Sequence, residues 1–511
     1  MNLLTDQWIP VRPIEGGGVE RIVLRQLLCT KGKWELSLPR DDMELAAIQL
    51  LICITQTLST PKTTSELKAR IANPMLEAEY DAAIQPFADW FRLDHPKYPF
   101  MQVHGVAAKD PTPMDKLLAG LTGATNSCFI NQPGLADGLC GGCAAIALFN
   151  QASCAPSFGG GFKAGLRGNA PVTTLVQGDH LRRSIWLNVL AETELVKTFP
   201  WHHDSANQKP TWIEPIRPGE TIPAQRVGLV RGLLWQPAHV ELLPPSKADS
   251  CSCCGCRTDI VYRAFNKAKF SYTIAGTWPH PHSPRIMISK KGVIEERFVA
   301  FTTTAPSWTQ LSRFVVQQHL TDNTEGQQPA TVLSQLRQVY GANATKLHLL
   351  VGGYRNNQAS VLERRHEVFT LNHGWDSHTH VIDFLVSLGR GYRDALYKAL
   401  YVFANGVKDV KGAGVKLHQA AEAQFYRRSE PTIEDALANI DFEKPEHELD
   451  RMRSSLKRIV EELFNESVTP YLRDPEIIHT LAVSRRILYK HVCNLEPQQD
   501  KGGDSETTEA A

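Results

Sequence analysis

Residues 139–168 read LCGGCAAIALFNQASCAPSFGGGFKAGLRG, and the rest of the chain is organised around them. Cys140 and Cys143 stand one knuckle apart, the spacing at which two thiolates hold half of a tetrahedral metal site. The other half is expected in the second dense cysteine cluster, Cys251-Ser-Cys253-Cys254-Gly-Cys256. Within it Cys251/Cys254 and Cys253/Cys256 share the same spacing, so spacing alone leaves the second pair open. A metal joining clusters so far apart would pin two distant stretches together. Downstream, Gly159, Gly160 and Gly161 lack a Cβ, which lets the backbone take positive φ and come close to another molecule beside Lys163 and Arg167. A plain surface turn is the alternative reading of such a cluster.

Composition sets the frame. The chain has 511 residues, 42% hydrophobic and 21% charged, an ordinary globular balance long enough for two to four domains. A net charge of +1 excludes a polycation drawn to phosphate by bulk attraction, so any nucleic-acid contact must come from local patches. The first residues carry no basic, small-residue secretory pattern, and the most apolar run, Leu45 to Leu58, is interrupted by Gln49, Thr55 and Gln56. The chain therefore reads as soluble, intracellular and without a membrane partner, where clustered cysteines favour metal over disulfides.

The patterning predicts an α+β protein: a loop-rich mixed α/β domain over residues 1–370 carrying a structural zinc site, then a four-helix bundle over 371–495 and a disordered tail over 496–511. Strands are expected at Trp8 to Val11 and Ile22 to Leu24. A buried helix is expected from Met43 to Leu58 behind the capping Asp41 and Asp42, a second over Glu77 to Leu93, a short one over Ala144 to Phe149, and helix again over 181–200. Val227 to Trp235, Phe270 to Ile274 and Arg297 to Thr303 read as β-rich runs. The bundle segments fall near 377–405, 414–428, 445–468 and 475–493, with breaks at Gly406, Pro431 and Pro470. No phosphate-binding loop, nucleophile elbow or zinc-hydrolase helix is present, and Gly159-Gly-Gly-Phe-Lys163 lacks the spacing and hydroxyl of the first. Gly352-Gly-Tyr-Arg-Asn-Asn-Gln-Ala-Ser360 reads as a tight hairpin whose amide-rich tip can meet base edges. Lys267 and Lys269 flank a β-like run in which Phe270 and Tyr272 serve as anchors.

Taken in order, Leu38-Pro-Arg-Asp-Asp-Met-Glu-Leu45, Asn131-Gln-Pro-Gly134, Cys140-Gly-Gly-Cys143, Phe158-Gly-Gly-Gly-Phe-Lys163, Cys251-Ser-Cys-Cys-Gly255, Trp278-Pro-His-Pro-His-Ser-Pro284, Ala305-Pro-Ser-Trp-Thr-Gln310 and the 352–360 stretch resemble the CasA family. These are the large subunits of the type I-E Cascade complex, an RNA-guided surveillance assembly of CRISPR immunity. The resemblance implies a subunit with no active site. It would read the protospacer-adjacent motif of double-stranded DNA from the minor groove and promote duplex opening and R-loop formation. It would also help recruit a separate helicase–nuclease.

It implies roles residue by residue. Ser157, Gly159, Gly160, Gly161 and Lys163 fall on the family's glycine loop, Lys269 on its lysine finger, and Asn357, Gln358 and Ala359 on its hairpin, with Gln358 as the wedge. Phe129, Ile130 and Asn131 fall on a loop docking against the guide RNA. The zinc ligands map to Cys140, Cys143, Cys251 and Cys254. Partners implied are the small-subunit dimer, the backbone and RNA-processing subunits, the crRNA and the target duplex, in the cytoplasm. Ser157 departs from the family pattern, which has glycine there, and Cys256 is an extra thiol. Two readings of other classes stand beside this one: a metal-dependent nuclease or hydrolase using His202, His203 and Asp204, and a scaffold whose loops touch only proteins.

Overall fold

The computed structural model describes residues 1–121, 134–205, 207–290, 292–321, 324–343, 345–407 and 410–497. The chain divides into two compact units, Met1–Ser307 with Leu311–Thr379, and Trp308–Gln310 with the chain from His380 onward.

At the centre of the first unit lies the helix Asp41–Leu58, apolar nearly all round and therefore buried on nearly every face. Asp41, Asp42 and Glu44 in its first turn oppose the positive end of the helix dipole. It packs against the helices Gly141–Ser153 and Leu181–Leu187 and against a long antiparallel hairpin, Leu347–Asn357 with Ser360–Leu371. Thr173–Val176 adds a third strand to the hairpin, with Leu349 opposite Val176. Smaller sheets complete the unit. Ile9–Pro13 runs between Glu20–Ile22 and Trp34–Leu36, and Ala264–Ala268 between Thr112–Pro113 and His239–Leu242. Tyr272–Ala275 pairs in parallel with Glu220–Pro223, and Arg285–Lys290 lies between Val293–Phe298 and Gly326–Gln328. The first unit is thus mixed α and β, with one long hairpin, otherwise short strands, and long connections.

In several places tertiary packing overrides local pattern. The run Val227 to Trp235 is not a strand: it holds the helix Leu229–Leu233, because Gly232 lies against Trp278, whose ring would stand 2.2 Å from any Cβ placed there. The helix expected over Glu77 to Leu93 ends at Ile84 and tightens into a 3₁₀ turn at Gln85–Phe87, where Pro86 stands at its start. The region 181–200 holds two helices, Leu181–Leu187 and Glu192–Thr198. Thr64–Ala72, capped by the Thr63 side chain on the Glu66 N–H, is a further helix.

Four long helices lie in the second unit: Thr379–Asn405, His418–Asn439, Glu446–Val468 and Ile478–Cys493. Ile382, Leu385, Tyr392, Leu396, Ala399 and Phe403 form the buried stripe of the first. Pro431 does not end the second, which continues to Asn439. Its ring is exposed, while Ile433, Ala436 and Leu437 beyond it are buried, so the packing of the following turns outweighs the lost backbone bond. Ser484 donates to the Ala399 carbonyl at 2.5 Å and ties the last helix to the first. Trp308, fully buried, belongs here too, 3.0 Å from a Cβ built on Gly389 and edge-on to Tyr426. The unit boundary falls at Thr379 rather than where the composition changes, because Asp376 caps the Asn343 N–H and pairs with Arg337 of the first unit.

Candidate functional site

Two sites are built in the first unit. In the first, Cys140 caps the helix Gly141–Ser153 and Cys143 lies in its first turn, while Cys251 and Cys254 lie on the turn closed by Gly255 N–H to Cys251 O at 3.0 Å. The strands entering these turns are stitched together by reciprocal Leu139–Tyr262 backbone bonds of 3.0 and 2.8 Å, and Ser252 bonds both the N–H and the carbonyl of Gly138. The Sγ atoms of Cys140, Cys143, Cys251 and Cys254 all lie within 4.8 Å of one another, with Cys140 and Cys254 3.9 Å apart. A tetrahedron of zinc–sulfur bonds needs sulfur separations of about 3.8 Å. Cys256 instead turns its thiol to the Cys254 carbonyl at 3.7 Å, and Cys253 is buried outside the group.

The donor set suits a cation. Hydrogen bonds from Cys140 and Cys143, with the Cys140 N–H at 3.2 Å, hold the Cys251 thiol well below its ordinary value. Cys143, donating to Cys140 and fully buried, is pushed well above it. So many packed sulfurs can be thiolates together only around a divalent ion, and such a thiolate-only set would be closed and structural. The arrangement can hold a metal such as zinc.

In the second site three separate segments meet. Gly159, Gly160 and Gly161 have φ of +75°, +56° and +87°, and the turn closes with Phe162 N–H to Gly159 O at 3.0 Å. Ser157 starts the loop by taking the Asn169 side chain on its N–H and offering its hydroxyl to the Gly159 N–H. The Lys269 ammonium donates to the Gly160 carbonyl at 3.4 Å, from a segment anchored by Phe270 stacked on His239 at 4.3 Å. The hairpin tip Gln358–Ala359 arrives from the third side: a Cβ on Gly159 would stand 3.0 Å from that of Ala359. Gly160, Gly161, Lys163, Lys269, Asn357 and Gln358 are exposed around this junction.

The hairpin has its expected amide-rich tip, while its glycines serve the strand. Gly352 and Gly353 lie inside the strand, where Leu45 and the Pro171 carbonyl approach to 2.6 and 2.9 Å of their would-be Cβ atoms. The turn is made by Gln358 with φ +51°, and Asn356 donates to its carbonyl at 2.5 Å. Beneath the tip a buried network holds the strand: Tyr354 donates to Asp42 at 2.7 Å, Asn150 donates to Tyr354 at 2.7 Å, and Arg40 grips Asp42 with two bonds. Burial opposes the Asp42 charge, yet Arg40 prevails and holds this carboxyl below its ordinary value.

Arg167, expected beside the glycine backbone with Lys163 as a cation facing another molecule, takes a different place. It is buried, and bonds Thr173, Ser283, Gln49 and Ser153, so it joins the end of the glycine loop to the core. Sequence reasoning also missed the part played by Lys267, which lies over Phe158 and Phe162; the Phe-Gly-Gly-Gly-Phe symmetry was the available signal. His202, His203 and Asp204 share one short helix, His202–Ser205, and among the described residues the four cysteines are the one set of three or more metal-ligating side chains whose donor atoms converge. His280 and His282 are buried core residues. Phe129, Ile130 and Asn131 lie outside the described residues, as does the tail from residue 498. Among the described residues no helix is long and apolar enough to cross a membrane.

Comparison with solved structures places this fold among relatives. Cse1 from Thermobifida fusca superposes with a TM-score of 0.74 at 16% identity, covering 97% of this chain and 99% of that one. CasA from Thermus thermophilus gives 0.69 at 18% identity, with 97% and 99% covered. A chain of a CRISPR RNA-guided surveillance complex gives 0.62 at 15%, with 96% and 99% covered. At these identities the likeness is one of fold. The family model for CRISPR-associated protein Cse1 matches residues 2–463, and over that span the chain belongs to the Cse1, or CasA, family of CRISPR-associated proteins.

Proposed function

We propose that this chain is the non-catalytic large subunit of an RNA-guided CRISPR surveillance complex and reads a short motif in duplex DNA. The observation that carries the reading is the meeting of Gly159–Gly161, Lys269 and Gln358–Ala359 at one exposed junction. Each part supplies a different contact. Bare backbone comes close to the sugar edge, the ammonium enters the minor groove, and the amide of Gln358 is pressed into a base step. Minor-groove edges carry a degenerate code, so a tolerant motif preference follows. Opening the duplex costs a few kcal/mol per unstacked step, which guide pairing and backbone contacts offset as the R-loop extends.

In the same reading the four cysteines hold a structural zinc, and residues 129–131 dock against the crRNA. The four C-terminal helices form a bundle facing the small-subunit dimer, while the backbone and RNA-processing subunits hold the guide, and the assembly recruits a helicase–nuclease. The deciding experiment measures target-duplex affinity of a guide-loaded core lacking its large subunit, at one stated salt concentration, with and without this chain. If the chain tightens binding only when the motif is present, and Gln358→Ala or Lys269→Ala removes the gain, the reading stands. A chain that joins the complex with no motif-dependent gain is a scaffold.

A further inference from the structure

The three glycines of residues 159–161 are bracketed by Phe158 and Phe162, whose rings meet edge to face at 5.4 Å. Over both rings stands the Lys267 ammonium, 4.6 Å from the centre of Phe158 and 5.2 Å from that of Phe162. Lys267 belongs to the strand Ala264–Ala268, opposite Val240, and Phe158 also leans on Phe265 of that strand at 5.9 Å. Lys269, two residues on, reaches the Gly160 carbonyl. Lysines two apart on extended backbone share a face, so one strand end supplies both cations to the loop. Their surroundings differ. Lys269 is exposed, whereas Lys267 is half-buried. Burial, with Lys116 adding to it, lowers Lys267 from its ordinary value, and no carboxylate contributes. An ammonium so placed gains most from aromatic faces, because cation–π attraction grows as water is removed.

Three consecutive glycines lose more freedom on ordering than any other triplet, so the loop presents a fixed backbone only if its ends are pinned. We propose that Lys267 is the positioning residue of the glycine loop: clamped over Phe158 and Phe162, it fixes both ends of Gly159–Gly161 and so sets how sharply the loop discriminates a DNA motif. The inference rests on the function proposed above.

The test compares Lys267→Met, which keeps length and loses charge, with Lys267→Arg, which keeps the cation over the rings. Two readouts are taken: hydrogen exchange at the Phe162 amide in the full chain, and cognate versus non-cognate affinity of the guide-loaded complex across a salt series. Met is expected to speed Phe162 exchange and reduce the cognate preference by about tenfold with an unchanged salt slope, and Arg to restore both. Unchanged exchange in Lys267→Met overturns the positioning role whatever the DNA result. Equal weakening of both duplexes with a salt slope shallower by about one overturns it as well, since Lys267 would then be a phosphate contact. If the unsubstituted chain shows no motif preference while Met still loosens the loop, the functional reading fails and the clamp stands.

Discussion

At Gly159 the backbone is left-handed and the nearest atom to a built Cβ is the Ala359 methyl at 3.0 Å, so alanine there meets two obstacles at once. Gly168 shares the first without the second: φ is +80° and nothing lies within 4 Å. Left-handed backbone costs a side-chain-bearing residue about 1–2 kcal/mol. Gly159→Ala is therefore expected to lose at least as much stability as Gly168→Ala, and it alone to displace the hairpin tip and cut motif-dependent affinity; equal binding by the two variants would separate tip from loop. His282 invites a second test. Its Nε2 donates to the Asn188 carbonyl at 3.0 Å, leaving Nδ1 to accept from Gln49 at 3.3 Å, and burial pushes its pKa down to about 3. The folded chain keeps it neutral, whereas the unfolded chain takes up a proton below about 6.5. Its contribution is thus intact above pH 6.5 and lost as pH falls toward 3, by about 1.4 kcal/mol per unit. Thermal unfolding at pH 7 and pH 5 should show this loss, and His282→Gln should lessen it, the buried His280 beside it supplying the remainder. Neither His282 nor Arg167 was legible as a core group, because a charged or titratable side chain in a glycine- and proline-rich stretch looks the same in sequence whether its partners are water or, as here, Gln49, Ser153 and Ser283.

The helix Asp41–Leu58 was legible because its apolar residues repeat at helical spacing, although Asp41 and Asp42, expected as caps, lie in its first turn behind Arg40; the cysteine turns were legible because thiolate spacing reports local geometry. What spacing left open was which pair of the second cluster faces Cys140 and Cys143. That choice depends on the local turn through Gly255 and on Ser252 gripping Gly138, a contact more than a hundred residues long in the chain. The amide-tipped hairpin was legible too, but the part its glycines play was not. Glycine marks either a turn or a close approach, and only the packed Leu45 distinguishes them at Gly352. Pro431 misled because tertiary burial of Ile433 and Leu437 is invisible to a helix-breaking rule. The cysteine turns carry their own test. One zinc per chain is expected by elemental analysis, lost in Cys254→Ser and retained in Cys253→Ser and Cys256→Ser. Metal loss should also lower the melting temperature, because the ion closes a loop of roughly a hundred residues. Zinc retained in Cys254→Ser would move the site to Cys253 or Cys256.

Over the whole molecule 55 basic residues face 54 acidic ones, a balance that leaves no general field to draw in DNA. Under the function proposed above, binding by the isolated chain would rest on the exposed cations beside the junction, Lys163 and Lys269. Each phosphate neutralised on duplex DNA adds about −0.9 to the slope of log affinity against log salt, so two contacts set a slope of about −2. The isolated chain is expected to bind random duplex weakly with a slope near that value, and the double variant Lys163→Ala/Lys269→Ala to abolish it. A slope of about −5 or steeper would require a further basic surface. If that slope survived the double variant, the source to examine is the exposed Arg485, Arg486 and Lys490 of the helix Ile478–Cys493 in the second unit. Under the function proposed above, such weak binding to random duplex would leave discrimination to the short junction, and the affinity added to a guide-loaded complex would come from motif contacts.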